Sequence, residues 1–311
     1  MTLIYLAAGF VVMLALMFLS LPVAFAILFV GVLGGLLAHG LPLLDMMGGV
    51  VWGTLNNSVM TAIPLFMLLG ELLLRGGIAD KMFDALSAWL GRLPGGLLHT
   101  NIGTCALFAA TSGSSVATAA TVGTVALPAL TARKYPVAAS LGSLAAGGTL
   151  GILIPPSVNL LVYGSLANVS VGQLFIAGVI PGLLLTGLFL IYVAVAHARA
   201  GENDQAQPLP LAERVALLRH LVPPGVIFLV VMGSIYGGLA TPTESAALGL
   251  MAALYFLWRA GRLRWGLLEH CFLQAARTTG KTLFFGNSNE DGHQLKAVHS
   301  VIPLNGIINC N

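Results

Sequence analysis

From Leu174 to Ala196 the chain carries no charged side chain, and a helix of that length is long enough to cross a hydrocarbon core about 30 Å thick. Further apolar stretches occupy residues 3–19, 23–38, 59–74, 95–130, 137–166, 221–236 and 245–258, of which 95–130 and 137–166 are interrupted. Lipid offers the backbone no hydrogen bonds, so a spanning segment is either a helix or a strand of a closed barrel. Unbroken apolar runs, without the period-2 alternation of barrel strands, select helices. The expected fold is all-α, a polytopic transmembrane helical protein. Composition agrees: 57% of residues are hydrophobic and 8% charged, against about 25% charged in soluble domains. Residues 1–20 lack a basic start and run directly into a second apolar stretch, so they read as a retained first span and not as a signal peptide.

The formal net charge of +3 is distributed in the joints between spans. Alternating sides from an external N-terminus collects Arg75, Lys81, Arg92, Arg133, Lys134, Arg199, Arg214, Arg219, Arg259, Arg262 and Arg264 on one face, with His39, Asp45 and Glu244 on the other. That asymmetry is the positive-inside pattern that encodes membrane topology, not the footprint of a nucleic-acid binder. Cys105, Cys271 and Cys310 are widely separated and form no C-x-x-C pair, so neither a metal site nor a disulfide framework is expected. There is no G-x-x-x-x-G-K-[ST] loop for a nucleotide and no paired carboxylates or Ser/His constellation at one depth, so the chain does not read as an enzyme.

Arg92 and Arg133 fall on the same face only if the chain between them returns to the side it left. Residues 95–131 are therefore expected to form a re-entrant hairpin, its tip at Thr111-Ser112-Gly113-Ser114-Ser115. A second interruption lies in residues 137–166, where Gly147-Gly148-Thr149-Leu150-Gly151 leads into Ile154-Pro155-Pro156-Ser157. Proline removes a backbone donor and costs about 3 kcal/mol inside a helix, so this span is expected to be broken mid-membrane. Residues 1–200 read as a first repeat, 201–220 as a hydrophilic cytoplasmic linker and 221–285 as the start of a second repeat. The second begins from the opposite side of the membrane, which is the inverted-repeat arrangement of many secondary transporters.

Irregular backbone at membrane depth is tolerated where it lines a cavity. Half-helix C-termini and unwound carbonyls ligate cations there, and half-helix N-termini favour anionic substrate groups. The candidate cation and substrate site combines Ser112, Gly113, Ser114, Ser115 and Thr118 of the tip with Gly148, Thr149, Gly151, Pro155, Pro156, Ser157 and Asn159 of the break; Thr121 adds a further hydroxyl to the hairpin. Hard oxygen ligands without carboxylates suit a monovalent ion, and sodium is expected around Ser112, Ser114, Gly151 and Ser157. For any single Ser or Thr the competing reading is a bond back to its own helix. Glu71 and Arg75 are spaced as an i,i+4 ion pair, and His99 stands near the Gly95-Gly96 entry to the hairpin.

The chain resembles the DctM-type large membrane subunit of tripartite ATP-independent periplasmic (TRAP) transporters. The resemblance rests on Ile63-Pro64-Leu65-Phe66 followed by Gly70-Glu71-Leu72, on Ser112-Gly113-Ser114-Ser115-Val116-Ala117-Thr118-Ala119, on the run from Gly147 to Ser157, and on Thr241-Pro242-Thr243-Glu244-Ser245-Ala246-Ala247. It implies an elevator-type, sodium-coupled importer of organic acids such as C4-dicarboxylates. The implied partners are a small four-helix membrane subunit and a periplasmic solute-binding protein, and the coupling ion is the only implied cofactor. The likeness stops near residue 285, where the family continues through another span, a second hairpin and a second Pro-Pro break. Asn287-Ser288-Asn289-Glu290-Asp291-Gly292-His293-Gln294 intervenes. Residues 286–311 are thus expected to be a non-family tail left by truncation or frameshift, the alternative function being a non-transporting remnant or membrane scaffold.

Overall fold

A computed structural model describes residues 2–19, 21, 23–56, 59–200 and 210–284. Residues 201–209 of the expected linker and the tail at 286–311 lie outside the described residues. Among the described residues the chain is helical without strands, and it is a multi-pass membrane protein. Among the described residues four helical stretches are long and apolar enough to cross a bilayer: Ser115–Ala132, Val137–Ser165, Val171–Ala198 and Leu211–Tyr236.

Two compact units are present among the described residues, one from residues 2–51 with 277–284, the other Trp52–Ala276. In the first, α1 (Thr2–Phe18) and α2 (Val23–His39) pack side by side. Outward residues such as Phe10, Phe25 and Leu37 are exposed, as lipid-facing side chains should be. α3 (Pro42–Leu55) follows and runs across the boundary.

The second unit starts with α4 (Ala62–Arg75) and α5 (Ile78–Leu90), bent by 67° at Gly76-Gly77. α5 is amphipathic: Ile78, Met82, Phe83 and Ala85 are buried while Asp80, Lys81 and Asp84 are exposed. Its polar face keeps it out of any list of apolar runs. At the heart of the unit is α6 (Leu97–Ser112), which packs against α4, α5, α7 (Ser115–Ala132) and α8 (Val137–Leu153). A helix buried nearly all round needs small or apolar residues on every face, and α6 is buried at almost every position, including His99, Thr100, Asn101 and Thr104. α9 (Val158–Ala167) and α10 (Val171–Ala200) complete this group. α10 turns Ile180, Leu183 and Tyr192 outward.

After the undescribed linker segment, α11 (Leu211–Leu218) and a short 3₁₀ turn (Arg219–Leu221) lead into α12 (Val222–Tyr236), and α13 (Pro242–Arg259) and α14 (Trp265–Phe284) follow. α11 falls within the stretch that the sequence reads as a linker, and a long-range contact holds it. Arg214 is 8% exposed; its guanidinium lies 4.5 Å from the Trp89 ring centroid and donates to the Ala88 carbonyl at 3.0 Å. The Thr241-Pro242-Thr243-Glu244 motif is a capping box that starts α13. The Glu244 amide donates to the Thr241 hydroxyl at 3.4 Å while the Glu244 carboxylate accepts from the Thr241 amide at 2.8 Å, so two of the free donors at the helix start are satisfied. α13 packs on α4 and α12.

These contacts tie three basic residues to α4, α5 and the bend between them. Arg75 pairs with Glu71 at 3.2 Å, the i,i+4 pair read from the sequence. Arg262 donates to the Gly76 carbonyl at 2.8 Å, which ties the end of α13 to the α4–α5 bend, and Arg214 is docked on α5.

Candidate cation and substrate site

The chain reverses at Gly113-Ser114. Gly113 ends α6 in the left-handed conformation, φ 64°, which glycine adopts without a Cβ penalty. Ser114 then starts α7, its hydroxyl accepting from the Ala117 amide at 3.3 Å. Glycine after one helix and serine before the next is stop-and-start chemistry, and it makes a hairpin with a two-residue turn. The open ends of the hairpin meet as well: the Leu97 amide donates to the Tyr135 hydroxyl at 3.1 Å. Residues 97 and 135 therefore lie together, at the opposite end from the tip.

The second interruption separates α8 from α9 at Ile154-Pro155-Pro156-Ser157. Neither proline can donate a backbone hydrogen bond, and the ladder stops. The Ser157 hydroxyl donates to the Ile152 carbonyl at 2.5 Å across the break.

Backbone contact joins the two interruptions. The Val158 amide donates to the Gly113 carbonyl at 3.0 Å. A methyl on Gly113 would sit 2.6 Å from the Pro156 carbonyl oxygen, and one on Gly151 would sit 2.7 Å from the Ser114 carbonyl carbon and oxygen. Only glycine permits that approach. The C-terminal ends of α6 and α8 and the N-terminal ends of α7 and α9 thus converge, bringing together carbonyls and amides that have no intrahelical partner.

Three hydroxyls around this point, those of Ser112, Thr118 and Ser157, have their protons committed. Thr118 donates to the Ser114 carbonyl at 2.7 Å, and its oxygen lies 3.0 Å from that of Ser112. A hydroxyl has a single proton, so Ser112 is the donor in that pair. Ser157 likewise spends its proton on Ile152. The oxygens of Ser112 and Ser157 keep lone pairs for a cation, and both residues are buried. Among the described residues no three of His, Cys, Asp and Glu gather into a metal-holding group; the donors at the tip and break are neutral oxygens.

Of the residues named from the sequence, Ser112, Gly113, Ser114, Ser115, Thr118, Gly148, Gly151, Pro155, Pro156 and Ser157 lie at or beside this meeting point. Thr149 and Asn159 are exposed, and Thr149 bonds back to its own helix at the Ala146 carbonyl, 2.7 Å away. Other elements complete the surroundings. Gly70 of α4 brings its backbone onto the tip, where an added methyl would lie 3.2 Å from the Ser112 Cβ. Gly178 and Gly182 of α10 pack on Leu153 and Ile154. Thr121, in α7 a turn beyond Thr118, is buried with a hydroxyl that has no hydrogen-bond partner. The sequence marks Gly70 only as part of a motif, and nothing local marks Gly178 or Gly182, because their role is set by long-range packing.

The family model for the tripartite ATP-independent periplasmic transporter, DctM component, matches residues 10–285. The chain belongs to this family. It is 40% identical over 213 residues to the C4-dicarboxylate TRAP transporter large permease protein DctM of Pseudomonas aeruginosa, covering 68% of this chain and 50% of that one. It is 34% identical over 272 residues to the isethionate TRAP transporter permease protein DctMQ of Oleidesulfovibrio alaskensis, covering 86% and 42%. To the ectoine TRAP transporter large permease protein TeaC of Halomonas elongata it is 31% identical over 238 residues, covering 76% and 54%. The chain spans about half the length of the curated relatives it matches. These DctM-family relatives are named as permeases and not as enzymes, and their names specify different solutes. The tip and the break both lie inside the matched region.

Proposed function

We propose that this DctM-family chain forms the first hairpin-and-break site of a sodium-coupled large permease in a bacterial inner membrane. The cargo is an organic acid, delivered by a periplasmic binding protein, and a small membrane subunit assembles with the chain. One observation carries the reading: two helix C-termini and two helix N-termini converge where the Val158 amide meets the Gly113 carbonyl. Carbonyl ends favour a cation and amide ends an anionic group, so one small volume suits sodium beside a carboxylate. Ser112, Ser114, Gly151 and Ser157 are the residues that would hold the ion; a sodium ion would supply positive charge for the carboxylate to bind against. The hairpin 95–131 is re-entrant in this reading, with its tip at membrane depth, and the repeat beginning at residue 221 is inverted relative to the first.

The test is sodium-specific stabilisation of the purified chain. A ligand at about 100 times its dissociation constant adds about 2.7 kcal/mol to stability, so sodium should raise the unfolding temperature where equal potassium or choline does not. Ser112→Ala with Ser157→Ala should remove that increment. In a full-length family member, alanine at the positions matching Ser114 and Ser157 should raise the sodium concentration for half-maximal uptake. Equal stabilisation by all three cations, together with unchanged sodium dependence of uptake, would rule the proposal out.

A further inference from the structure

Five arginines in α4, α11 and around the α13–α14 turn fall into two groups. Arg75, Arg214 and Arg262 are engaged by protein: by Glu71, by Ala88 and Trp89 and by the Gly76 carbonyl. Arg259 and Arg264 are exposed, and among the described residues neither guanidinium has a hydrogen bond or ion pair. Arg259 ends α13 and Arg264 immediately precedes α14, beside Trp258, 68% exposed, and Trp265, 82% exposed.

The joint between α13 and α14 is fixed. The Arg262 amide donates to the Leu257 carbonyl at 3.0 Å and the Gly261 amide to the Trp258 carbonyl at 2.9 Å, with Gly261 at φ 66°. This is the Schellman closure of a helix end. The Arg262 side chain pins the same turn to the α4–α5 bend. Arg259 and Arg264 are thus presented by a closed turn, and Glu269 is the only acidic residue between Glu244 and Phe284.

We propose that this turn is a docking surface for anionic phospholipid headgroups of the cytoplasmic leaflet, with Arg259 and Arg264 on the phosphodiester and Trp258 and Trp265 seated in the interface. Charge complementarity and position both favour this occupant. Tryptophan rings concentrate at headgroup level, and arginine-rich joints lie on the cytoplasmic side, where the leaflet's anionic lipids attract basic segments. The turn closes α13, whose apolar stretch 245–258 ends at Trp258, so tryptophans and arginines stand together at the polar boundary of that stretch. The proposal is independent of the transport reading.

The experiment is native mass spectrometry of the purified 311-residue chain, titrated with phosphatidylglycerol or with phosphatidylcholine of the same acyl composition. The unmodified chain should retain phosphatidylglycerol in preference. Each arginine near a membrane surface contributes about fivefold in affinity for anionic lipid, so Arg259→Gln with Arg264→Gln should weaken phosphatidylglycerol binding by about 25-fold and leave phosphatidylcholine unaffected. Arg259→Lys with Arg264→Lys should keep most of the preference. Equal retention of the two lipids by the unmodified chain overturns the proposal without any variant having to fold. So does undiminished phosphatidylglycerol binding by the glutamine variant, and so does full displacement by equimolar inorganic phosphate, which would mark a free-anion site.

Discussion

Replacing Gly151 by alanine tests the closest contact in the candidate site, and Gly142 in the same helix supplies its control. An alanine inside a helix is favoured over glycine by about 1 kcal/mol. At Gly142 an added methyl meets nothing within 4 Å, so Gly142→Ala should show that gain undiminished. At Gly151 the methyl would lie 2.7 Å from the Ser114 carbonyl carbon and oxygen and 2.8 Å from the Ser115 amide nitrogen. All are backbone atoms of a turn held by the Gly113–Val158 bond, so no rotamer change relieves the clash. Overpacking of this kind costs about 1–3 kcal/mol. Gly151→Ala should therefore range from neutral to about 2 kcal/mol destabilised, and about 1–3 kcal/mol less stable than Gly142→Ala. Thermal unfolding of the two purified variants, followed by loss of the monodisperse chromatographic peak, reads the difference directly. Equal unfolding temperatures would refute the direct backbone contact between tip and break, and with it the geometry from which the cation site is built.

Three further outcomes are expected. Arg214→Ala removes a buried charge-assisted hydrogen bond, worth about 1.5–3 kcal/mol, and a stacking contact on Trp89. Hydrogen exchange should then rise across α11, and Arg214→Lys should not restore protection, since an ammonium cannot stack as a planar guanidinium does. At the start of α13 the Thr241 amide and hydroxyl hold the Glu244 carboxyl below its usual range. A lowered carboxylate value stabilises the fold fully above the unfolded value and loses that contribution as pH falls through the folded one, so Glu244→Gln should flatten the acid limb of the stability profile, its deficit fully present at neutral pH and vanishing in acid. Finally, thiols introduced at Arg92 and Arg133 should react with an impermeant reagent from the same side of the membrane; reaction from opposite sides would break the hairpin.

Both interruptions were legible because their causes are local. Gly113 followed by Ser114 is a helix stop and a helix cap, and Pro155-Pro156 removes consecutive donors; each acts within a turn of where it stands. The face of the helix on which a neighbouring residue lands is less evident from proximity alone. Thr149 sits close to Gly148 and Gly151 in sequence, yet Gly148 and Gly151 are three apart and share a face while Thr149 is rotated about 100° from Gly148. It bonds to its own helix on an exposed face, and Asn159 is exposed on α9. The amphipathic helices α5 and α11 do not stand out as apolar runs, since their polar residues lower the average even though one face is buried.

The sequence by itself determined the solvent, the helical class, the places where helices stop and the family, because spans need long apolar runs and breaks need Gly, Pro and Ser at particular positions. Tertiary structure alone decided that the two breaks meet. Nothing in either segment specifies that the Val158 amide should find the Gly113 carbonyl. That bond depends on α6, α7 and α8 packing together closely enough to bring backbone against backbone, with Gly70 of α4 and Gly178 and Gly182 of α10 admitting the neighbouring helices. The division of the arginines is a tertiary outcome for the same reason. Arg214 and Arg259 are alike in the sequence, but Arg214 finds a carbonyl and an indole across more than a hundred residues of chain and is buried, while Arg259 meets no such partner and stays exposed.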